Sequence, residues 1–216
     1  MPTEEIITAY KEQVAKADGM LVPLIKPTQE GEKLYIVTKF LQNPDDVPND
    51  DTDPEFWGWH DSKFRMTAVM LVDVYAQSAE GMFPLGHMDW GLIDDYANGG
   101  GNMHEALIPK NEYERLANQR WYDSIAFKVD DNYHQQGIGS LLLATSAVAL
   151  PAIGVKSFYT GVTLGPAKKT YARFGIKKDD FHEDKEPFDP NLPIERLAKH
   201  PQVNSSIGEF VQTVKG

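Results

Sequence analysis

Ser124-Ile-Ala-Phe-Lys-Val-Asp-Asp-Asn-Tyr-His-Gln-Gln-Gly-Ile-Gly-Ser-Leu-Leu-Leu143 is the stretch whose reading decides the fold. Its first part, Ser124 to Val129, has β-type composition. A polar turn follows, then Gly137 and Gly139, then an apolar run with helical spacing. The pattern is a strand, a glycine turn and a helix N-terminus. Bare N–H groups at a helix start, approached closely where glycine has no side chain, make a seat for phosphate. A tight strand-to-helix turn with no ligand is the other reading of a lone Gly-x-Gly.

Around this centre the chain reads as strands first, then strand–helix–strand–helix. Thr3 to Ala17 predicts a helix with a partial stripe of Ile6, Ile7, Tyr10 and Val14, ended by Gly19. Lys33 to Leu41 predicts a strand, and Phe64 to Gln77 a central one, apolar on both faces. Phe83 to Ile93 reads as its antiparallel partner across a turn near Ala79-Glu80-Gly81. The hinge 98–102 and a helix over 103–120 broken near Pro109 come next. Ile138 to Ala149 predicts a helix with Ile138, Leu141, Leu142, Thr145, Val148, Ala149 and Ala152 on one side. Ser157 to Val162 predicts a strand, and Pro166 to Phe174 a helix stopped by Gly175. Segments 194–199 and 205–214 are weaker helical pieces. This order implies a mixed α/β (α+β) domain, with a central, mainly antiparallel sheet flanked by helices. We read one domain over 1–178, with its cofactor half at 121–178, followed by an acidic, Pro-rich extension over 179–216.

Composition removes several classes. The chain has 216 residues and no cysteine, which excludes a disulfide framework, a thiolate metal site and a cysteine nucleophile. The acidic opening Pro2-Thr3-Glu4-Glu5 does not read as a signal peptide, and the longest apolar run, 141–155, is too short to span a membrane. The expected setting is cytoplasmic, without membrane attachment. The formal net charge of −11 speaks against a nucleic-acid partner. That charge is uneven. Span 121–178 holds seven bases (Lys128, Lys156, Lys168, Lys169, Arg173, Lys177, Lys178) against Asp123, Asp130 and Asp131, so it is positive while the rest is strongly negative. An anionic ligand on the basic span and a cationic or neutral one on the acidic side fit both signs.

Two phosphate motifs fail. No Walker loop ending in Lys-Ser/Thr is present. A dinucleotide fingerprint lacks its third glycine and its following acid. What remains is a short turn presenting successive N–H groups from Gln136 to Ser140, suited to a pyrophosphate gripped by backbone alone.

At this point the stretch Ser124 to Ile176 resembles the GNAT superfamily of acetyl-CoA-dependent N-acetyltransferases. His134-Gln135-Gln136-Gly137-Ile138-Gly139 is similar to that family's Gln/Arg-x-x-Gly-x-Gly/Ala loop. Ala167-Lys-Lys-Thr-Tyr171-Ala-Arg-Phe-Gly175-Ile176 is similar to its Ala-x-x-x-Tyr-x-x-x-Gly-Phe helix. The two motifs stand in the family's order. His134 replaces the usual Gln or Arg, and Leu164 stands where many members carry Asn.

The resemblance implies a GNAT-like sheet whose strand before the loop splays from the next strand to admit the pantetheine arm of acetyl-CoA. Phe127, Lys128 and Val129 would pair with that arm. His134 and the backbone of Gln135, Gln136, Gly137, Ile138, Gly139 and Ser140 would hold the pyrophosphate. Tyr171 would act as general acid to the leaving thiolate. The implied reaction is direct transfer of acetyl to a primary amine on a small molecule or protein, with no metal and with homodimerisation as a family habit. For the base, His87 and Asp89 lie two apart on a strand and face the same side. They suit proton abstraction, a water relay, a metal pair for which no third ligand is evident, or a structural role. Asp123, His104 and Glu105 are further candidates. Three rivals stand beside this reading: a CoA-binding regulator or interaction module on the same fold, an acetyltransferase acting on aminoacyl-tRNA, and an unrelated interaction protein.

Overall fold

Alternation of β-branched and aromatic residues over 33–41 and 66–78 sets a sheet, and the computed structural model shows how it is completed. The structure describes residues 4–41, 66–93, 120–159, 165–177 and 192–211, apart from the side chains of 66–68, 91–93, 120–126, 157 and 159. Residues 43–61, the hinge 98–102, the helix expected over 103–120 apart from Arg120, which opens a strand instead, Leu164 and the Pro-rich stretch 179–191 lie outside the described residues.

The elements in chain order are α1 (Glu4–Val14), β1 (Val22–Pro23), β2 (Lys33–Leu41), β3 (Met66–Ser78), β4 (Gly81–Ile93), β5 (Arg120–Val129), α2 (Ile138–Ala152), β6 (Ser157–Tyr159), α3 (Gly165–Arg173), β7 (Leu192–Pro193), α4 (Ile194–Ala198) and α5 (Pro201–Val211). Among the described residues the sheet has seven strands in sequential order. Every neighbouring pair is antiparallel except β5 and β6, which run parallel across the α2 crossover. The protein is therefore a mixed α/β fold with a mainly antiparallel sheet flanked by helices. Parallel neighbours need a long crossover where antiparallel ones need only a turn, and the glycine loop begins that crossover.

Period two divides the sheet into faces. Leu34 and Ile36 of β2, Met70, Val72, Val74 and Ala76 of β3, and Met88 and Trp90 of β4 join the main core with the helices. The register puts Val69, Leu71, Asp73 and Tyr75 of β3, with His87 and Asp89 of β4 and Lys128 of β5, on the other face.

Helix α2 corrects the expected one-sided stripe. It is buried nearly all round, from Ile138 and Ser140 through Ala147 and again at Ala149 and Leu150. Its outer side is covered by α1, α4 and α5, the last two of which the sequence offered only as weaker helical pieces. Val203, Ile207, Phe210 and Val211 of α5 belong to the same core as the sheet. Polar groups on α2 are matched inside that core. The Trp90 indole donates to Ser146 Oγ at 2.9 Å, and Tyr10 Oη and Thr145 Oγ1 are hydrogen-bonded at 2.6 Å. Burial of these groups without partners costs free energy, so the pairs tie α2 in register to β4 and α1. No helix among the described residues is long and apolar enough to cross a membrane.

Candidate functional site: an amide cradle at the start of the crossover helix

Strand β5 is anchored to β4 up to its last residue, and the Asp130 N–H continues the ladder to the Leu85 carbonyl at 2.8 Å. Alternation then turns the backbone groups of Phe127 and Val129 away from β4. The Val129 carbonyl accepts instead from His134 Nε2 at 2.9 Å, which assigns that ring nitrogen its proton. The Asp130 carboxylate accepts from the Asn132 N–H at 2.9 Å and closes the turn.

The chain next takes an unusual path. Gln135 has φ +64° and Gly137 φ +90°, with Gln136 between them. Left-handed backbone is costly for a residue with a Cβ and collects at functional sites. Alternation of φ sign along successive residues is the backbone pattern of an anion-binding nest. Helix α2 then starts without a side-chain cap, and its first bond is Leu141 N–H to the Gly137 carbonyl at 3.0 Å. Among the described residues nothing accepts from the N–H groups of Gln136, Gly137, Ile138, Gly139 or Ser140.

Contacts from distant parts of the chain hold this loop. Gln136 is buried, and its Oε1 accepts from the Gln29 N–H at 3.1 Å. Its carbonyl accepts from Lys26 Nζ at 3.0 Å. Lys26 is paired with Glu209 of α5 and lies 4.5 Å from the centroid of the Phe210 ring. The Gln136 side chain is thus turned inward, and only its N–H remains for a ligand.

A cavity of about 640 Å³ opens along this cradle. One wall is Phe127, Lys128 and Val129. The floor is His134, Gln135 and Gly137 through Ser140. The far wall is α3, through Pro166, Ala167, Lys169, Thr170 and Arg173. Arg173 Nη1 reaches Ser140 Oγ at 3.5 Å. Among the described lining residues, lysines and arginine outnumber the single acid, the exposed Asp131, in a chain whose net charge is −11. Nine of the ten residues expected to bind cofactor therefore line one cavity, and the tenth, Gln136, lies directly behind it.

Tyr171 is placed differently. It is fully buried, packs edge-on against Phe127 at 5.9 Å between ring centroids, and does not line the cavity. The described ladder between β5 and β6 covers Arg120–Tyr122 against Ser157–Tyr159. The continuation of β6, and with it the far side of the expected splayed opening, lies outside the described residues.

Of the candidate bases, His104 and Glu105 lie outside the described residues, as does the Asp123 side chain. His87 and Asp89 do share a face of β4. Sequence reasoning missed Asp73, which stands opposite His87 on β3 and therefore diagonal to Asp89. Burial pushes the Asp73 carboxyl up to about 7, against a smaller opposing effect of its hydrogen bond to Tyr75. Asp89 is raised well above the carboxylate range, first by burial and then by the charge of Asp73.

No family model matches the chain, and no curated protein matches it. Among solved structures, a variant of the cAMP-binding acyltransferase from Mycobacterium smegmatis is similar at 15% identity with a TM-score of 0.36. The alignment covers 97% of this chain and 62% of that protein, so this chain spans less than two thirds of its length.

Proposed function

We propose that this protein is an N-acyltransferase that uses acetyl-CoA as acyl donor and a primary amine as acceptor. One observation carries the reading: four consecutive N–H groups, Gly137 to Ser140, with no acceptor among the described residues, floor a cavity walled by Lys128, Lys169 and Arg173, and the N–H of Gln136 beside them lacks one too. A diphosphate matches that arrangement in charge, in acceptor number and in the close approach that Gly137 and Gly139 allow. The cavity continues along β5 past the outward backbone of Val129 and Phe127, which suits an extended amide-bearing arm. A thioester supplies an activated acyl carbonyl when it is bound there.

The residues divide the work as follows. The amide cradle and α3 cations bind and orient the donor. Phe127 and the buried Tyr171 keep the inner end of the cavity apolar and exclude water. Tyr171 is the candidate proton donor to the leaving sulfur, in the general-acid role suited to a phenol. A second reading, CoA binding without transfer, has one observation in its favour: Tyr171 lies behind Phe127 rather than on the cavity wall.

The test has two stages. Acetyl-CoA and CoA should raise the unfolding temperature, since a ligand at a hundredfold its Kd adds about 2.7 kcal/mol of stability. Thiol release with an amine panel should then separate a transferase from a binding protein. If no CoA species raises the unfolding temperature, the reading fails. If CoA binds and no amine is acylated, the second reading replaces it.

A further inference from the structure

Glycine inside a strand weakens it, and it marks places where another backbone comes close. Gly86 of β4 is such a place. It is buried and pairs with Val129 of β5. Its backbone is not left-handed, so conformation alone would admit a side chain. Space does not. A Cβ at Gly86 would stand 2.7 Å from the Lys128 carbonyl oxygen, 3.2 Å from Val129 Cα and 3.3 Å from Val129 Cγ2. The first of these is main chain, and no rotamer change relieves it. Among the described glycines no other comes so close to a backbone atom.

The cause lies in β4. Val74 of β3 pairs with Gly86 and Tyr75 with Pro84, so Leu85 is an extra residue on β4. Such a bulge bends its strand and re-aims its groups. Leu85 buries its side chain in the main core, and its carbonyl accepts from the Asp130 N–H at 2.8 Å. The bulge therefore holds the end of β5 twice, by a hydrogen bond at Asp130 and by close approach at Lys128 and Val129. What it holds is one wall of the donor cavity. Lys128 and Val129 line that cavity, and so does His134, whose ring donates to the Val129 carbonyl.

We infer that Gly86 is a positioning residue for the donor: with the Leu85 carbonyl it sets how far the outward main chain of Val129 stands into the cavity, and so the fit of the extended arm of CoA. The inference rests on the acyl-transfer reading and deepens it by naming the residue behind the wall. Gly86 does not line the cavity itself. A side chain there drives the Lys128 carbonyl from 2.7 Å to the 3.4 Å where ordinary contact begins, a shift of about 0.7 Å away from β4. The β3 ladder fixes β4 on its other side, so the movement falls on β5 and its cavity-lining residues. Hydrogen bonds weaken steeply with geometry, and displacements of this size are felt at a ligand. The diphosphate end is insulated from the movement, because Gln29 and Lys26, not β4, hold Gln136 of the amide cradle from behind.

The experiment is calorimetric titration of the full chain with two ligands: CoA, and the phosphoadenosine diphosphate that remains when CoA is stripped of its pantetheine arm. Wild type should bind CoA more tightly than the stripped nucleotide, the excess measuring the arm. Gly86→Ala should weaken CoA about tenfold and leave the stripped nucleotide within about twofold. Asp130→Pro reaches the same wall by another route. Asp130 has φ −54°, which proline accepts, yet proline has no N–H for the Leu85 carbonyl. It should show the same split between ligands. Asp130→Ala keeps the N–H, loses only the carboxylate bond to the Asn132 N–H, and should not show it. Where Gly86→Ala does not fold, the Asp130 pair decides alone. Unchanged CoA affinity in Gly86→Ala overturns the inference. Equal loss of both ligands does so too, since it makes Gly86 a support of the fold at large. The two levels separate. If wild type binds CoA no better than the stripped nucleotide, the diphosphate seat stands and the positioning role falls. If wild type binds neither, the acyl-transfer reading falls and takes the inference with it.

Discussion

Replacing Gly137 by alanine tests the cradle from the structure alone. Gly137 has φ +90°, and a Cβ there would lie 3.2 Å from one Glu209 carboxylate oxygen, 3.3 Å from a Phe210 ring carbon and 3.4 Å from the other carboxylate oxygen. The left-handed backbone costs an alanine about 1–2 kcal/mol. The crowding adds about 1 kcal/mol, since Phe210 is buried and Glu209 is held by Lys26. The sum, about 2–3 kcal/mol, corresponds to a fall of about 4–12 °C in unfolding temperature for a chain of this size. CoA affinity should fall as well, because relief of the strain turns the N–H groups apart. Gly139→Ala is the matched control. Its Cβ would meet Phe127 at 3.5 Å and Thr170 at 3.7 Å, ordinary contacts in a helix where alanine is favoured over glycine. That variant should keep or raise the unfolding temperature and still weaken CoA, since the added methyl stands between two cavity-lining side chains. Thermal unfolding and calorimetry with CoA and with inorganic pyrophosphate read both variants. An unchanged unfolding temperature in Gly137→Ala, or wild-type CoA affinity in Gly139→Ala, would refute the reasoning.

Three further outcomes are expected. Lys26→Met leaves the Glu209 carboxylate unpaired behind the cradle and should weaken CoA by about 1 kcal/mol, although Lys26 does not line the cavity. Adding Glu209→Gln should restore most of that loss in a calorimetric double-mutant cycle, and failure to restore it removes the electrostatic explanation. Tyr171→Phe should lower turnover by about a hundredfold or more while CoA affinity stays the same, measured by thiol release against calorimetry. An unchanged rate removes Tyr171 as the proton donor. For Asp73, the folded carboxyl titrates near 7 and so above its unfolded value. Its contribution to stability is full below an unfolded pKa of about 3.9 and is lost as pH rises toward 7. Asp73→Asn should flatten the stability profile in that window, as read from denaturant midpoints, and an unaltered slope argues against a half-buried, proton-binding Asp73.

Much of the fold could be read locally because its signals are local. Lys33–Leu41 matches its strand residue for residue, and the helix expected from Ile138 begins there. Side-chain periodicity and turn chemistry act within a few residues, so they survive without knowledge of the partner. The misplacements share the opposite cause. The two-residue strands β1 and β7 exist because β2 and β6 offer them ladders. Helix α2 continues past Ala149 through Pro151 to Ala152, and these last two residues are exposed although the expected stripe included Ala152. Segment 205–214 reads as a weak amphipathic piece, yet helix Pro201–Val211 supplies the outer wall of α2. The absence of any charged residue from Ile138 to Val155 was the available sign that α2 is covered on all sides.

The candidate site divides in the same way. Gly137 and Gly139 after a strand announced a turn with exposed amides, because the need for a missing Cβ is written in the residue itself. Nothing local announced that Gln135 would take φ +64°, that Gln136 would turn inward to Gln29 and Lys26, or that Glu209 would close the back of the cradle. Those contacts join residues 107, 110 and 183 positions apart in the Lys26, Gln29, Gln136 and Glu209 cluster. The carboxyl pair is the plainest case. His87 and Asp89 could be placed on one face by counting along β4, whereas Asp73 joined them only through the β3–β4 register. Residue chemistry and short-range periodicity established the mixed α/β plan and an amide-lined helix start. Long-range pairing decided which side chains face the cavity, which are drawn away from it, and which acid is left buried without a partner among the described residues.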